Sequence, residues 1–207
     1  MSDFSKLASD ERIERAVKAL GANGIEASVI HNGAEALKKL KELVPAGAEV
    51  FTASSVTLDT IGATKLFNES GAYDGLKTRL GNMDAKTQGR EMRKLGAGPD
   101  VEIGSAHAVT ETGSVLVASL TGSQLPGYAY GAGTVIWVVS SKKLVKDVDE
   151  GFKRIHEHVL PLESVRARKA YGLPDSFSSY PSKVLVFNRE VQPGRVKMLI
   201  VKEDLGF

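Results

Sequence analysis

The run Val135-Ile-Trp-Val-Val139 constrains the fold more than any other segment. Side chains alternate between the two faces of a strand, so five consecutive apolar residues need cover on both faces. Strands buried on both sides belong to parallel sheets packed between helices. The rest of residues 1–165 agrees, because strands alternate there with helices of about 10–15 residues, the pattern of an α/β domain with a largely parallel sheet flanked by helices.

The first helix carries Ile13, Ala16, Val17 and Leu20 on one face, with Asp10 and Glu11 at its start and Gly21 and Gly24 at its end. A strand follows over Ile25 to Ile30, a turn at Asn32-Gly33, and a second helix on Leu37, Leu40 and Leu43 that stops at Pro45-Ala-Gly47. Glu49 to Ser54 forms a strand, and Ser54-Ser-Val-Thr57 offers hydroxyl caps to a helix carrying Leu58, Ile61 and Leu66. Asp84 caps a helix running through Leu95, in which Gln88 shares a face with Met92 and Leu95. Val101 to Ile103 and Val115 to Ala118 are strands on either side of the turn Thr110-Glu-Thr-Gly113. Val148, Phe152, Ile155 and Val159 make a helical stripe behind Asp147 that Pro161 is expected to end, and a short helix follows around Ser164 to Tyr171.

Residues 1–172 thus read as one α/β domain. Gly172 to Ser182 is linker-like, and Lys183–Asn188 and Arg195–Val201 are β-rich segments joined through Pro193-Gly194. They suggest a C-terminal β-hairpin within 173–207, either attached to the same domain or serving as the arm of a homodimer.

Lys and Arg number 27 against 25 Asp and Glu, and the net charge of +2 gives no field suited to nucleic acid. The chain has no cysteine, so it cannot hold a cysteine-ligated iron–sulfur cluster or use a thiolate. No apolar stretch suits export or membrane insertion, and a cytoplasmic location is the expectation. His156 and His158 are two apart on a helix and diverge, so no metal and no cofactor is expected. No phosphate loop ending in Gly-Lys-Ser/Thr occurs, and Gly131-Ala-Gly133 precedes a strand instead of opening a helix.

The densest polar cluster is Gly104 to Ser114, followed by Thr121-Gly-Ser-Gln124. Glycines let backbone approach a ligand, and hydroxyls and amides hydrogen-bond oxygen-rich groups. Glu111 is its one carboxylate. The same residues also suit an ordinary polar hairpin turn, and His107 an ordinary strand histidine. Arg166, Arg168 and Lys169 read as a solvated charged face outside the site.

The run His107-Ala-Val-Thr-Glu-Thr-Gly-Ser114, with Thr121-Gly-Ser-Gln-Leu-Pro126, Tyr128 and Tyr130, resembles the LUD-domain family (lactate-utilisation protein C, YkgG-like). Ser54-Ser-Val-Thr-Leu58, Asp84-Ala-Lys-Thr-Gln88, Leu160-Pro-Leu-Glu163 and Glu203-Asp-Leu-Gly-Phe207 extend the likeness along the chain. The resemblance implies a NagB/RpiA/CoA-transferase-like fold and a part in oxidising L-lactate to pyruvate alongside iron–sulfur proteins. Two function classes follow. One is a non-redox component that binds a small anion, carboxylate or phosphate, or a partner. The other is a stand-alone enzyme of CoA-transferase-like or sugar-phosphate-isomerase-like type. For that enzyme, the likeness of Glu111-Thr-Gly113 to the CoA-transferase Glu-x-Gly turn makes Glu111 the nucleophile or acid/base. The site expected is one pocket lined by Ser54, Ser55, Thr57, Gln88, His107, Glu111, Thr121, Gly122, Ser123 and Gln124, because polar residues after strands are where α/β sheets bind ligands.

Overall fold

The computed structural model describes residues 3–207. In chain order the helices are α1 (Asp10–Ala22), α2 (Gly33–Leu43), α3 (Val56–Thr60), α4 (Ala63–Glu69), α5 (Leu76–Gly81), α6 (Ala85–Ala97), α7 (Val148–Arg154) and α8 (Leu160–Tyr171). The strands are β1 (Glu26–Ile30), β2 (Glu49–Thr52), β3 (Asp74–Gly75), β4 (Val101–Gly104), β5 (Ala108–Thr110), β6 (Val115–Ser119), β7 (Thr134–Ser140), β8 (Leu144–Val145), β9 (Lys183–Phe187) and β10 (Val196–Val201).

Six strands form a sheet in the order β1-β10-β7-β4-β2-β3, with every neighbouring pair parallel. Strand β7 is covered on both faces, as its sequence requires. Val135, Trp137 and Val139 meet α1 and a second sheet, whereas Ile136 and Val138 meet α2, α3 and α4. The second sheet has the order β8-β5-β6-β9, and its far side packs on Ile155 and the adjoining helices. The body is therefore layered as helices, parallel sheet, small sheet with α1, and helices.

Ser55, Asp84 and Asp147 each accept a backbone N–H at a helix start as the sequence suggests, and Ser9 and Asn32 cap α1 and α2 in the same way. Pro161 does not end its helix. A π-helical turn over Ile155–Val159 joins α7 to α8, and Pro161 falls in the first turn of α8 just past it, where the helical path runs on.

The two C-terminal strands lie where the sequence puts them but do not pair with each other. Strand β9 adds antiparallel to β6 in the small sheet, while β10 inserts between β1 and β7 in the large one. Burial decides this: Val196, Met198, Leu199, Ile200 and Val201 are all within 2% of complete burial, which an isolated hairpin cannot provide.

Candidate functional site

Because β2, β4 and β7 run parallel, their carboxyl ends lie on one edge of the sheet, and the segments leaving them converge there. Ser54-Ser55-Val56-Thr57 follows β2, Ser105-Ala106-His107 follows β4, and the single 3-10 turn Ser141–Lys143 follows β7. They enclose an inner compartment of ≈ 60 Å³ that opens into a cleft of ≈ 430 Å³. Ala53, Ser54, His107, Gln124, Glu163 and Arg166 border both, so the two form one continuous site.

Lys143 is the most consequential side chain in it. It is only 3% exposed, and its ammonium donates to Ser105 Oγ at 3.0 Å and Thr57 Oγ1 at 3.2 Å. Among the described residues it forms no ion pair with a carboxylate, whereas its neighbour Lys142 pairs with Asp204. Burial, then the charges of Arg154 and Lys142, hold the Lys143 amine well below the ordinary lysine range.

Arg154 lies behind it, completely buried, donating from Nη1 to the His107 carbonyl at 2.5 Å. Its Nε and Nη2 have no hydrogen-bond partner. Burial alone lowers its pKa to about 10. His107 Nδ1 accepts the Ala118 N–H at 3.1 Å, so the neutral ring carries its proton on Nε2. Burial first, then Lys143 and Arg154, depress its pKa to about 3, and the imidazole is neutral at physiological pH. On the outer wall Glu163 accepts both Arg166 Nε and Nη2 at 2.7 Å. Among the described residues this is the only carboxylate side chain bordering the site, and it is thereby neutralised, while the polar lining includes the ammonium groups of Lys143 and Lys77, the His107 N–H, hydroxyls and the Gln124 amide.

Beneath the site is a group of buried polar atoms without partners: both Glu102 carboxyl oxygens, Tyr128 Oη and Trp137 Nε1. Burial raises the Glu102 pKa to about 9 against the opposing charge of Arg195, so this carboxyl is a neutral acid. Tyr128 reaches the inner compartment from a second π-helical turn, Gly127–Gly131. A Cβ at Gly104 would overlap Tyr128 Oη, and one at Gly127 would overlap Glu102 Oε2, so glycine at both positions is what lets this layer close.

Of the residues expected from the sequence, Ser54, Ser55, Thr57, His107, Thr121, Ser123 and Gln124 border the site. Gly122 lies within that loop but its own N–H donates to Ser119 Oγ at 2.8 Å. Gln88 is elsewhere: it is exposed and its Oε1 accepts the Asp84 N–H at 2.9 Å, completing a reciprocal cap on α6. Glu111 is also elsewhere. It stands at the turn end of the β5–β6 ladder, a strand length of about 17 Å from the Thr121 loop, and accepts Arg12 Nε at 2.6 Å and Arg15 Nε at 2.8 Å. Partial burial works against its charge, but these two arginines hold its carboxyl below the ordinary value.

Arg166 corrects the expectation of a solvated face, since it borders both compartments, while Arg168 donates to the Phe177 carbonyl at 2.7 Å. The linker-like segment is likewise part of the site, with Leu173, Phe177, Ser179, Tyr180 and Pro181 walling the cleft. Lys143 and Arg154 are functional-site residues that the sequence reading does not include. The rule that picked out Ser54, a polar residue just past a strand end, also applies to Lys143 after the apolar run of β7.

The LUD domain profile matches residues 13–201. Among curated proteins none matches the sequence. The crystal structure of a DUF162 family protein from Deinococcus radiodurans superposes with a TM-score of 0.57 at 12% identity, over 95% of this chain and 99% of that one, and shares the fold. Ribose 5-phosphate isomerase from Plasmodium falciparum gives a TM-score of 0.34 at 14% identity over 78% of each chain, a resemblance too slight to argue from.

Proposed function

The chain belongs to the LUD-domain family, and from that premise we propose that it binds a small carboxylate as a non-redox component of a lactate-utilisation system. One observation carries the reading: Lys143 is buried at the convergence of three strand ends with hydroxyl partners and, among the described residues, no carboxylate within ion-pair distance. Leaving a buried cation uncompensated is costly, and an anionic ligand supplies the missing charge. Arg154 behind it adds to the positive potential, and neutral His107 offers an N–H to an oxygen beside the carboxylate, as a 2-hydroxy or 2-oxo acid has.

Oxidising L-lactate to pyruvate removes two electrons and two protons. With no cysteine in this chain, a cysteine-ligated cluster taking those electrons belongs to a partner protein. The alternative of acyl transfer on Glu111 draws no support from geometry, since Glu111 is bound to two arginines away from the cleft.

Calorimetric titration with L-lactate, pyruvate, lactamide and inorganic phosphate tests the reading. The acids bind, the neutral amide does not, and Lys143→Met removes binding without unfolding the protein. Phosphate binding more tightly than either acid would replace the carboxylate with a phosphate ligand, and unaltered binding by Lys143→Met would overturn the site.

A further inference from the structure

The two compartments differ in size and chemistry in a way that a three-carbon acid leaves unused. A water-sized position takes about 10–15 Å³, so the ≈ 60 Å³ inner compartment holds about four to six such positions, roughly a carboxylate and the atoms next to it. The ≈ 430 Å³ cleft outside holds about thirty or more and falls in the range of about 300–1,000 Å³ typical of sites for larger organic ligands.

The inner end is the more polar of the two, although Lys77, Thr121, Ser123 and Ser179 also border the outer cleft. Lys143, Thr57 and Ser105 border only the inner compartment or lie at its floor, whereas the outer cleft is walled by Phe51, Leu120, Tyr171, Phe177, Tyr180 and Pro181. Tyr171 and Tyr180 are 62% and 67% exposed, and Leu120 is 46% exposed, so large apolar surface faces solvent around the mouth. Apolar side chains are seldom exposed in one contiguous patch without a ligand or partner to cover them. Tyr171 already lies under the Arg166 guanidinium, 5.6 Å from its ring centroid, which fixes one ring edge beside the junction of the two compartments.

From this division we infer that the ligand is a 2-oxo or 2-hydroxy acid with a bulky apolar side chain, aromatic by preference, its carboxylate at Lys143 and its side chain in the outer cleft. The inference rests on the carboxylate reading above and adds the substrate class. Ring faces and edges of Tyr171, Phe177 and Tyr180 suit an aromatic partner better than open water, and burial of a ring adds favourable free energy that pyruvate or lactate cannot supply. The segment 173–181, rich in turn formers and anchored through Arg168 to the Phe177 carbonyl, forms the cleft's outer wall.

The experiment compares dissociation constants of pyruvate and phenylpyruvate for the whole protein by calorimetry, then repeats the pair on Phe177→Ala and Tyr180→Ala. Phenylpyruvate is expected to bind at least tenfold more tightly, and each substitution should shrink that ratio by threefold or more. A ratio near one in the wild type, with both acids bound, overturns this inference and leaves the carboxylate reading in place. Binding of neither acid overturns both. A tenfold ratio unaffected by either substitution places the side chain elsewhere and overturns the assignment of the outer cleft. Melting temperatures of both variants, read alongside, separate loss of affinity from loss of fold.

Discussion

Lys143 Nζ and Ser105 Oγ are 3.0 Å apart at the tips of adjacent parallel strands, one from the end of β7 and the other from the end of β4. A hydroxyl solvates an ammonium but does not neutralise it, so this lysine loses its proton more readily than an exposed one. A bound carboxylate reverses that preference and raises the amine's pKa. Binding therefore takes up as much as one proton at pH values between the free and bound pKa of Lys143, and affinity falls as pH rises through that window. Calorimetry at fixed pH in two buffers of different ionisation heat measures the uptake directly. Equal apparent enthalpies in both buffers would show that Lys143 does not change its proton on binding.

Glu102 makes stability depend on pH in the opposite sense from an ordinary paired carboxylate. Its pKa rises from 4.5 to about 9 in the folded state. Between those values the unfolded chain has released the proton that the native protein keeps. Stability from this group is complete below about pH 4.5 and is lost as pH rises toward 9, with a slope of at most about 1.4 kcal/mol per pH unit. Glu102→Gln keeps a neutral side chain at every pH. Urea denaturation at pH 5, 7 and 8.5 should show a flatter profile for the variant, and parallel profiles would mean that Glu102 is ionised in the fold.

Glu111→Gln removes the charge that ties Arg12 and Arg15 of α1 to the β5–β6 turn. Arg15 is too exposed to add much, so the loss comes mainly from the half-buried Arg12 pair and is about 1–2 kcal/mol. For a protein of this size that lowers Tm by roughly 2–8 °C. Carboxylate affinity per folded molecule should stay at the wild-type value. A tenfold loss of affinity with unchanged Tm would return Glu111 to the ligand site.

Gly104→Ala places a methyl against Tyr128 Oη and forces the ring off the floor of the inner compartment. Overpacking of this kind costs about 1–3 kcal/mol. Tyr128→Phe removes a hydroxyl that has no partner and should be close to neutral alone. In the double variant the two changes should couple, recovering at least half of the stability lost by Gly104→Ala. Additive losses in chemical denaturation would show that the two residues do not share that space.

The fold was legible wherever a local pattern and its energetic requirement coincide. Asp84 and Asp147 cap helices because a short acceptor side chain before an amphipathic stripe has one favourable use, and Val135 to Val139 demands cover on both faces. Strand pairing was less legible. The segment 196–201 is apolar enough for any sheet, and its place between β1 and β7 depends on partners more than fifty residues away in sequence.

Within the site, the hydroxyl residues after β2 were legible because loops past parallel strands are where such sheets bind ligands, and the Thr121 loop because glycine, hydroxyls and an amide cluster in it. Lys143 was not, since Ser-Ser-Lys-Lys reads as a polar surface turn until the burial of both lysines is seen. Arg154 has the same concealment at the end of α7. Gln88 misled for the reverse reason: its spacing with Met92 and Leu95 suggested burial, while a four-residue reach back to Asp84 satisfies it in water. Glu111 sits in a family-like motif, and only the approach of α1 reveals that its partners are arginines.

The position of β10 bears on how the chain folds as it is made. Strand β1 emerges early, yet its one neighbour in the large sheet is β10, which emerges after every other strand. Until then β7 has a bare edge and α1 covers a gap, so a ribosome-bound chain carries an open, apolar sheet edge for most of its synthesis. Closure couples the two ends of the sequence, a long-range contact of the kind that slows folding and exposes aggregation-prone intermediates. A nascent chain arrested before Val196 should consequently engage holding chaperones and resist proteolysis poorly, and the transition to resistance should come abruptly when Val201 clears the exit tunnel.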